Sequence, residues 1–331
     1  MTRLRLTVDL SMPGRQDGDA LLPWSDNANP LGRYALPVIT LSGGPGPCVL
    51  VLGGVHGDEY EGPAAMLRLA RALVPADVAG RLILMPAANS PAFAAGARCS
   101  PLDSGNLNRA FPGDPDGGPT AMIADWLQGH MIPRCDAVID LHAGGKASVF
   151  VPCSLPQAGI SPGLDAANLA LAQAMGLPVI WQLGANNDNR SVNAACARAS
   201  VPCVAAELGG GGGVDPLVTD MAEAGLRRAL HHLGLLADAP PLPAGANAAT
   251  VEIASAADHV LAPARGLFDR RCTAGDRVAA GDTAGWLHFP EEPGRPSQHL
   301  TFPQTGMVLA HTARGRVDRA EMLAMVVRDV P

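Results

Sequence analysis

Two histidines and two glutamates follow short apolar runs at three separate places in the chain. His56 and Glu59 stand three residues apart in a glycine-rich stretch directly after the run Pro47–Leu52. His142 ends a second strand-like run, and Glu207 ends a third. Two imidazoles and one carboxylate, with a position left for water, form a known ligand set for catalytic zinc. These residue types predict a zinc site held by His56, Glu59 and His142.

Glu207 is the candidate general base. A carboxylate at the end of a strand, beside a zinc site, can accept a proton from water and pass it to a leaving amine. The alternative is a solvated glutamate ahead of a flexible loop, because five glycines follow in Gly209–Gly213. This glycine run is not a phosphate-binding P-loop, since no Gly-Lys-Ser/Thr sequence follows it.

Two further residues near His142 allow two interpretations each. Asp140 lies on the same face of the predicted strand as His142. It either accepts the second imidazole N–H, which would fix the tautomer, or is an ordinary strand-edge carboxylate. Lys146 is the single lysine of the chain. It is either a second contact for an anionic substrate or a solvated loop residue.

A loop region between the two histidines carries side chains suited to an anion. Arg109 offers a planar fork of donors that matches a carboxylate, and the neighbouring amide of Asn108 can add another donor. Arg98 could stabilise the oxyanion of a tetrahedral intermediate, or it could form a surface ion pair. We therefore expect Asn108 and Arg109 to bind substrate and Arg98 to assist catalysis.

Apolar runs typical of buried strands alternate with helix-like stretches, which predicts an α/β fold with a mixed, mostly parallel sheet flanked by helices. The predicted strands are Leu36–Leu41, Cys48–Leu52, Arg81–Pro86, Ala137–Leu141, Ser148–Val151, Val179–Gln182 and Cys203–Glu207, and the predicted helices are Pro63–Val74, Thr120–Met131, Leu164–Met175, Ser191–Ala199 and Asp215–Leu235. Ligands bind beyond the carboxyl ends of such strands, so His56, His142 and Glu207 are expected to meet there. The segment Ser42–Pro47 is expected to join two antiparallel strands at the edge of the sheet.

A second, smaller domain is predicted after a linker rich in Pro and Ala at residues 237–248. The expected division is a catalytic domain over residues 1–238 and a β-rich domain over residues 249–331. Short alternating segments and many turn residues indicate a small β-sandwich of the barrel-sandwich type. A lipoyl or biotin carrier needs an acceptor lysine, and this region has none. The smaller domain is therefore expected to be structural or to cap the active site.

Composition excludes several classes of protein. The chain has 331 residues, 47% of them hydrophobic, and a net charge of −7 without a basic stripe, so no nucleic-acid partner is expected. No apolar run is long enough for a membrane helix, and no signal peptide is evident. Seven scattered cysteines without a Cys-x-x-Cys spacing indicate free thiols and a cytoplasmic location. A homo-oligomer is compatible with the sequence, which leaves the oligomeric state open.

Four motifs together resemble the succinylglutamate desuccinylase/aspartoacylase family, relatives of the zinc carboxypeptidases. They are Gly54–Glu59, Asn106–Gly113, Asp140–His142 and Glu207–Gly209, in the order found in the family. The resemblance implies a zinc-carboxypeptidase-like fold, one zinc ion on His56, Glu59 and His142, Glu207 as base, Asn108 and Arg109 on a substrate carboxylate, and Arg98 polarising the carbonyl. Tyr60–Pro63, Ser100–Asp103 and His142–Lys146 look most similar to the N-acetyl-diaminobutyrate deacetylases of this family. Several members have Asp where this chain has Asn106.

The expected function is that of a zinc amidohydrolase that removes a small acyl group, acetyl or succinyl in type, from an N-acylated amino acid. One alternative is a carboxypeptidase-like metallopeptidase, which would need an open groove. Another is a non-catalytic zinc-binding protein, against which Glu207 argues. A serine hydrolase is disfavoured, since no Gly-x-Ser-x-Gly sequence occurs.

Overall fold

Strands and helices alternate through the first two thirds of the chain, and strands predominate after residue 248. The computed structural model describes residues 3–184, 187–243, 248–253, 255 and 258–330. The strands are β1 (Arg5–Leu6), β2 (Gly14–Pro23), β3 (Arg33–Ser42), β4 (Cys48–Gly53), β5 (Arg81–Met85), β6 (Ala137–His142), β7 (Ser148–Phe150), β8 (Cys153–Pro156), β9 (Val179–Trp181), β10 (Cys203–Glu207), β11 (Ala249–Glu252), β12 (Val260–Leu261), β13 (Gly266–Arg270), β14 (Arg277–Val278), β15 (Thr283–His288), β16 (Gln298–Thr301), β17 (Gly306–Thr312), β18 (Arg316–Val317) and β19 (Met322–Asp329). The α-helices are α1 (Glu61–Ala72), α2 (Ser90–Ala95), α3 (Pro119–Trp126), α4 (Pro162–Met175), α5 (Val192–Ala199) and α6 (Pro216–His232).

The central strands β5, β4, β6 and β10 lie side by side and are parallel. Alternate residues of β4 face opposite sides: Val49 and Val51 pack in one core with α1, α4 and α6, whereas Leu50 and Leu52 pack in another with α3 and α5. A strand covered on both faces is apolar throughout, which is why these runs are readable from sequence. The structure confirms the predicted α/β fold.

The turn at Ser42–Pro47 does not join neighbouring strands at an edge, and this prediction was wrong. β3 and β4 run in opposite directions, but β5 lies between them, antiparallel to β3 and parallel to β4. Helix α1 carries the chain from β4 over to β5, and that crossover places the new strand beside β4. β1 and β2 extend the sheet further on this side.

The C-terminal region is a sandwich of two antiparallel sheets. β16, β15, β13 and β18 form one sheet, and β12, β19, β17 and β14 belong to the other. Side chains from both sheets share one core, as Phe268, Leu287, Val308 and Val326 illustrate. The predicted sandwich is therefore confirmed. The division into domains at residues 1–238 and 249–331 stays a prediction.

Two strand pairs join this sandwich to the central sheet. β11 pairs in parallel with β9 on one side and antiparallel with β19 on the other. β7, from the loop that follows His142, pairs antiparallel with β17. The C-terminal strands therefore bear directly on a loop at the carboxyl edge of the central sheet. No helix in the described part of the chain is long and apolar enough to cross a membrane.

Leu50 lies in the middle of β4 and is fully buried, so its truncation tests the core beneath the site. We expect Leu50→Ala to lower the free energy of unfolding by about 2–5 kcal/mol, because a cavity remains where the side chain was. Leu31→Ala is the matched control, since Leu31 is 99% exposed, and should change it by less than about 0.5 kcal/mol. Equal losses in urea denaturation of the two variants would contradict this packing.

Candidate functional site

The carboxyl ends of β4, β6 and β10 bring the predicted residues together. In the parallel register, Gly53 lies beside Leu141, and Glu207 lies directly beside His142. The chain leaves β4 through a turn that carries His56 to the same rim. This alignment explains how residues far apart in sequence can form one site.

Glycine is required in the turn that carries His56 and Glu59. A Cβ atom at Gly57 would lie 2.0 Å from the backbone carbon of Ala92 in helix α2. Gly54 adopts a φ of +62°, in the left-handed region that glycine tolerates best. The turn therefore packs its backbone tightly against α2, and this packing fixes the direction of the two side chains.

The side chains of His56, Glu59 and His142 form a buried cluster. Nδ1 of His56 lies 2.8 Å from Oε1 of Glu59, and Nδ1 of His142 lies 2.9 Å from its Oε2. One ligand atom from each residue lies within 4.8 Å of the others. The structure thus brings together the three residues predicted as metal ligands.

The second nitrogen of each imidazole also faces an oxygen acceptor. Nε2 of His142 lies 2.8 Å from Oδ2 of Asp140, and Nε2 of His56 lies 3.0 Å from Oδ1 of Asn106. The Asn106 atom is identified as oxygen because it also accepts the backbone N–H of Asn108. A neutral imidazole has one N–H, so it can satisfy only one of its two oxygen neighbours. With the proton on Nε2, each Nδ1 presents a lone pair towards Glu59, and a cation among these atoms would satisfy all three.

Charges in the cluster agree with this arrangement. Burial disfavours the charged forms, yet the imidazoles of His142 and His56 hold the pKa of Glu59 below its usual range. Burial opposes the imidazolium of His142 as well, but Asp140 and Glu59 raise the pKa of His142 well above its ordinary value. Burial lowers the pKa of His56. Both ring nitrogens of His142 face carboxylate oxygens, and a neutral ring can donate to only one of them. When no metal is bound, a second proton on His142 therefore satisfies the other oxygen, as a metal cation would.

Glu207 has a carboxylate oxygen that is not otherwise engaged. Its Oε2 is buried and has no hydrogen-bond partner among the described residues. Burial, followed by the negative charge of Glu59, raises the pKa of Glu207 to about 8. A carboxyl group with a pKa near neutrality can accept and return a proton, which is the property required of a general acid–base residue.

Arg98 reaches the cluster from the rim. Its Nη1 donates to Oε1 of Glu59 over 3.2 Å, and half of its side chain is exposed. The guanidinium therefore contacts the ligand cluster and also faces solvent. Arg98 forms an ion pair, as the alternative interpretation allowed, but its partner is the buried Glu59 of the cluster.

Asn108 lies at the site with its amide fixed. Its Oδ1 accepts the backbone N–H of Val192, so its Nδ2 is the side that points to His142, 3.3 Å from Nε2. Because Nε2 of His142 has the closer Asp140 as acceptor, the Nδ2 hydrogens of Asn108 remain available to a ligand.

Arg109 is not the free fork that the sequence suggests. Its Nε lies 3.0 Å from Oδ2 of Asp188, and its Nη1 donates to the backbone carbonyl of Asn108. The partner Asp188 was missed, because nothing local in its loop connects it with Arg109.

The sequence left the role of Lys146 open and gave no role to Asp58. The backbone N–H of Lys146 donates to Oδ2 of the buried Asp58, and its Nζ donates to the carbonyl of Gly96. Asp58 thereby ties the loop after His142 to the turn that carries His56. Lys146 is exposed and has no ion-pair partner within the described ranges.

Glu207 is followed by a loop that contacts the β7 segment. Phe150 and Gly144 donate backbone hydrogen bonds to the carbonyl of Gly209, and Gly211 donates to that of Ser148. A Cβ at Gly210 would lie 2.3 Å from the carbonyl oxygen of Ser148. The glycine run therefore permits close backbone approach beside the site.

Comparison with known proteins agrees with this geometry. Residues 45–233 match the succinylglutamate desuccinylase/aspartoacylase catalytic domain. The N-alpha-acetyl-L-2,4-diaminobutyric acid deacetylase of Halomonas elongata is 32% identical over 324 residues, which cover 98% of this chain and 94% of that protein.

Solved structures resemble the whole chain. The product-bound ectoine utilization protein EutE from Ruegeria pomeroyi is 33% identical, with a TM-score of 0.94 over 99% of both chains. A succinylglutamate desuccinylase from a Silicibacter species is 32% identical, with a TM-score of 0.95 over 100% of this chain and 99% of that one. The chain therefore belongs to the succinylglutamate desuccinylase/aspartoacylase family and is a hydrolase that acts on amide bonds.

Proposed function

We propose that this hydrolase is a zinc-dependent deacylase that removes an acetyl- or succinyl-type group from an N-acylated amino acid. The observation that carries the proposal is the paired arrangement of His56 and His142. Each ring directs Nδ1 towards Glu59 while its Nε2 faces another oxygen. Glu207, with an unengaged oxygen, lies on the neighbouring strand.

Zinc fits this donor set. His56, Glu59 and His142 would hold the ion, with two borderline nitrogen donors and one carboxylate. Asp140 and Asn106 would hold the rings in the tautomer that leaves Nδ1 free. A bound zinc ion supplies Lewis acidity, which polarises a carbonyl group and makes water more acidic.

Glu207 moves the proton in this proposal. Its Oε2 accepts a proton from the attacking water and later donates it to the nitrogen of the leaving amine. Arg98 donates from its guanidinium to the oxygen that becomes negatively charged as the carbonyl is attacked. Asn108 and Arg109 bind the carboxylate of the amino acid and so place its amide bond beside Glu207.

The names of the relatives support an N-acyl amino acid as substrate. The Halomonas elongata protein is a deacetylase of N-alpha-acetyl-diaminobutyric acid, and the Silicibacter protein is a succinylglutamate desuccinylase. We choose N-alpha-acetyl-diaminobutyrate as the first substrate to test and N-succinyl amino acids as the second, because relatives named for both activities match nearly the whole chain. The predicted cytoplasmic location stays a prediction.

Removal of His142 tests the metal. We expect His142→Ala to lose bound zinc and to reduce kcat/KM by at least about a thousandfold, since one ligand of three is gone. Zinc per chain is measured by elemental analysis after dialysis, beside hydrolysis of N-acetyl-diaminobutyrate. His232→Ala, which removes an exposed histidine of α6, is the control. Full zinc content with full turnover in His142→Ala would exclude this mechanism.

Glu207 can be tested separately from the metal. Glu207→Gln keeps the shape of the side chain but cannot accept the proton, so we expect kcat to fall about a hundredfold to ten-thousandfold while zinc content is kept. Glu223→Gln, on the partly exposed face of α6, should leave kcat unchanged. A Glu207→Gln enzyme with normal kcat would remove Glu207 from the proposed proton transfer.

Asp140 is expected to tune the metal through His142. In Asp140→Asn the amide no longer provides a charged acceptor for Nε2, so we expect zinc affinity to fall about tenfold to a hundredfold. Titration with a competing chelator measures the Kd. Asp136→Asn is the matched control, because Asp136 precedes the other end of β6 and accepts the backbone N–H of Cys48. Equal affinities in the wild type and Asp140→Asn would show that Asp140 has no such role.

A further inference from the structure

Arg109, which we propose binds the substrate carboxylate, forms an ion pair with Asp188. Asp188 places Oδ2 3.0 Å from Nε of Arg109 and 2.8 Å from Nη2 of Arg190. Its Oδ1 accepts from the backbone N–H and the Nε of Arg190. About a quarter of the Asp188 side chain is exposed, so solvent and small ligands can reach it.

The loop that carries Asp188 is fixed to the site. Val192 donates its backbone N–H to Oδ1 of Asn108, and Phe111 donates to the carbonyl of Arg190. Asn108 in turn contacts the candidate ligand His142. Asp188 therefore lies beside Asn108 and Arg109, and these hydrogen bonds of Val192 and Arg190 hold its loop there.

Three other carboxylates around the site are engaged with other groups, and the unengaged Oε2 of Glu207 is buried. Both oxygens of Glu59 contact the imidazoles, Asp140 faces His142, and Asp58 accepts the backbone N–H of Lys146. All three are buried. Within the described ranges, this leaves Asp188 as the accessible carboxylate beside Arg109.

A neighbouring cation and anion match a ligand that carries both charges. Asp188 contacts Arg109 only at Nε, so a substrate carboxylate at the other end of the guanidinium can draw Arg109 away from it. The acceptor site that this frees on Oδ2 of Asp188 is suited to a cationic donor from the same substrate. Arg190 donates to both oxygens of Asp188, which gives this carboxylate an anchor that is independent of Arg109.

We propose that Asp188 is a specificity-determining residue that binds the side-chain ammonium of the substrate amino acid while Arg109 binds its carboxylate. This assignment rests on the proposed deacylase function and narrows its substrate to N-acyl derivatives of amino acids with a short cationic side chain. A neutral side chain leaves the freed acceptor site of Asp188 unfilled, and an acidic one brings no donor to it.

Two substrates of equal shape test the assignment. N-alpha-acetyl-diaminobutyrate ends in an ammonium group, and N-alpha-acetyl-norvaline has a methyl group at the same position. We expect the wild type to prefer the cationic substrate. Asp188→Asn should lower kcat/KM for it by about tenfold to a hundredfold, chiefly through KM, as expected for loss of a charged hydrogen bond. Hydrolysis of N-acetyl-norvaline should change by less than about threefold.

Two further variants control for structure. Asp188→Glu keeps the charge and should restore part of the preference for the ammonium. Asp165→Asn alters another partly exposed aspartate, which accepts backbone N–H groups of the loop before α4, and should leave both substrates unaffected. Circular dichroism of each variant shows whether it is folded, and an unfolded Asp188→Asn leaves the wild-type preference and the Asp188→Glu comparison to decide.

Equal losses for both substrates would mean that Asp188 only orients Arg109, and would overturn the assignment while the deacylase function stands. Absence of any wild-type preference would overturn it as well. Hydrolysis of neither substrate by the zinc-loaded wild type, together with no hydrolysis of N-succinyl amino acids, would overturn the proposed function and the assignment together.

Discussion

A carboxylate buried between two imidazoles is the interaction on which the rest of this site depends. Glu59 is 2% exposed, and both of its oxygens lie within 3 Å of an imidazole nitrogen. A buried carboxylate is costly unless positive charge and hydrogen bonds compensate it. The backbone N–H of Ala143 and the guanidinium of Arg98 add to that compensation. The neighbouring residues are thus arranged to keep a negative charge inside the protein, where it can serve a cation.

The register of the parallel strands provides the precision that this interaction needs. A shift of β6 by one residue against β4 would turn His142 to the opposite face and leave Glu59 without one partner. Apolar packing on both faces of the sheet prevents such a shift, because every strand residue would then exchange one core for the other. The hydrophobic cores and the polar site therefore specify the same alignment.

The sequence predicted most of the parallel sheet and the meeting of His56, Glu59 and His142, for the same physical reason. Buried parallel strands are continuous apolar runs, and their carboxyl ends share one rim, so His56, His142 and Glu207 could be placed together without knowledge of their contacts. β2 was missed because it begins Gly-Arg-Gln-Asp-Gly-Asp and owes its extended form to pairing with β3 rather than to its own residues. Asp188 and the acceptor role of Asn106 were missed because they arise between loops, where neither periodicity nor strand order fixes which residues meet. Arg109 was identified from the sequence, but its partner Asp188 was not, because no sequence pattern links the two residues.

Two strand pairs connect the C-terminal sandwich to the central sheet, and they show what removal of the sandwich would expose. β19 covers the open side of β11, and β17 covers β7. Without these partners, both strands would present unpaired N–H and C=O groups to solvent, and such edges recruit strands from other molecules. The sandwich therefore shields one edge of β11 and one edge of β7 from solvent, in addition to any part it has in shaping the site. Gene fusions or deletions that remove it would expose these strand edges to aggregation, which constrains how this architecture can be shortened.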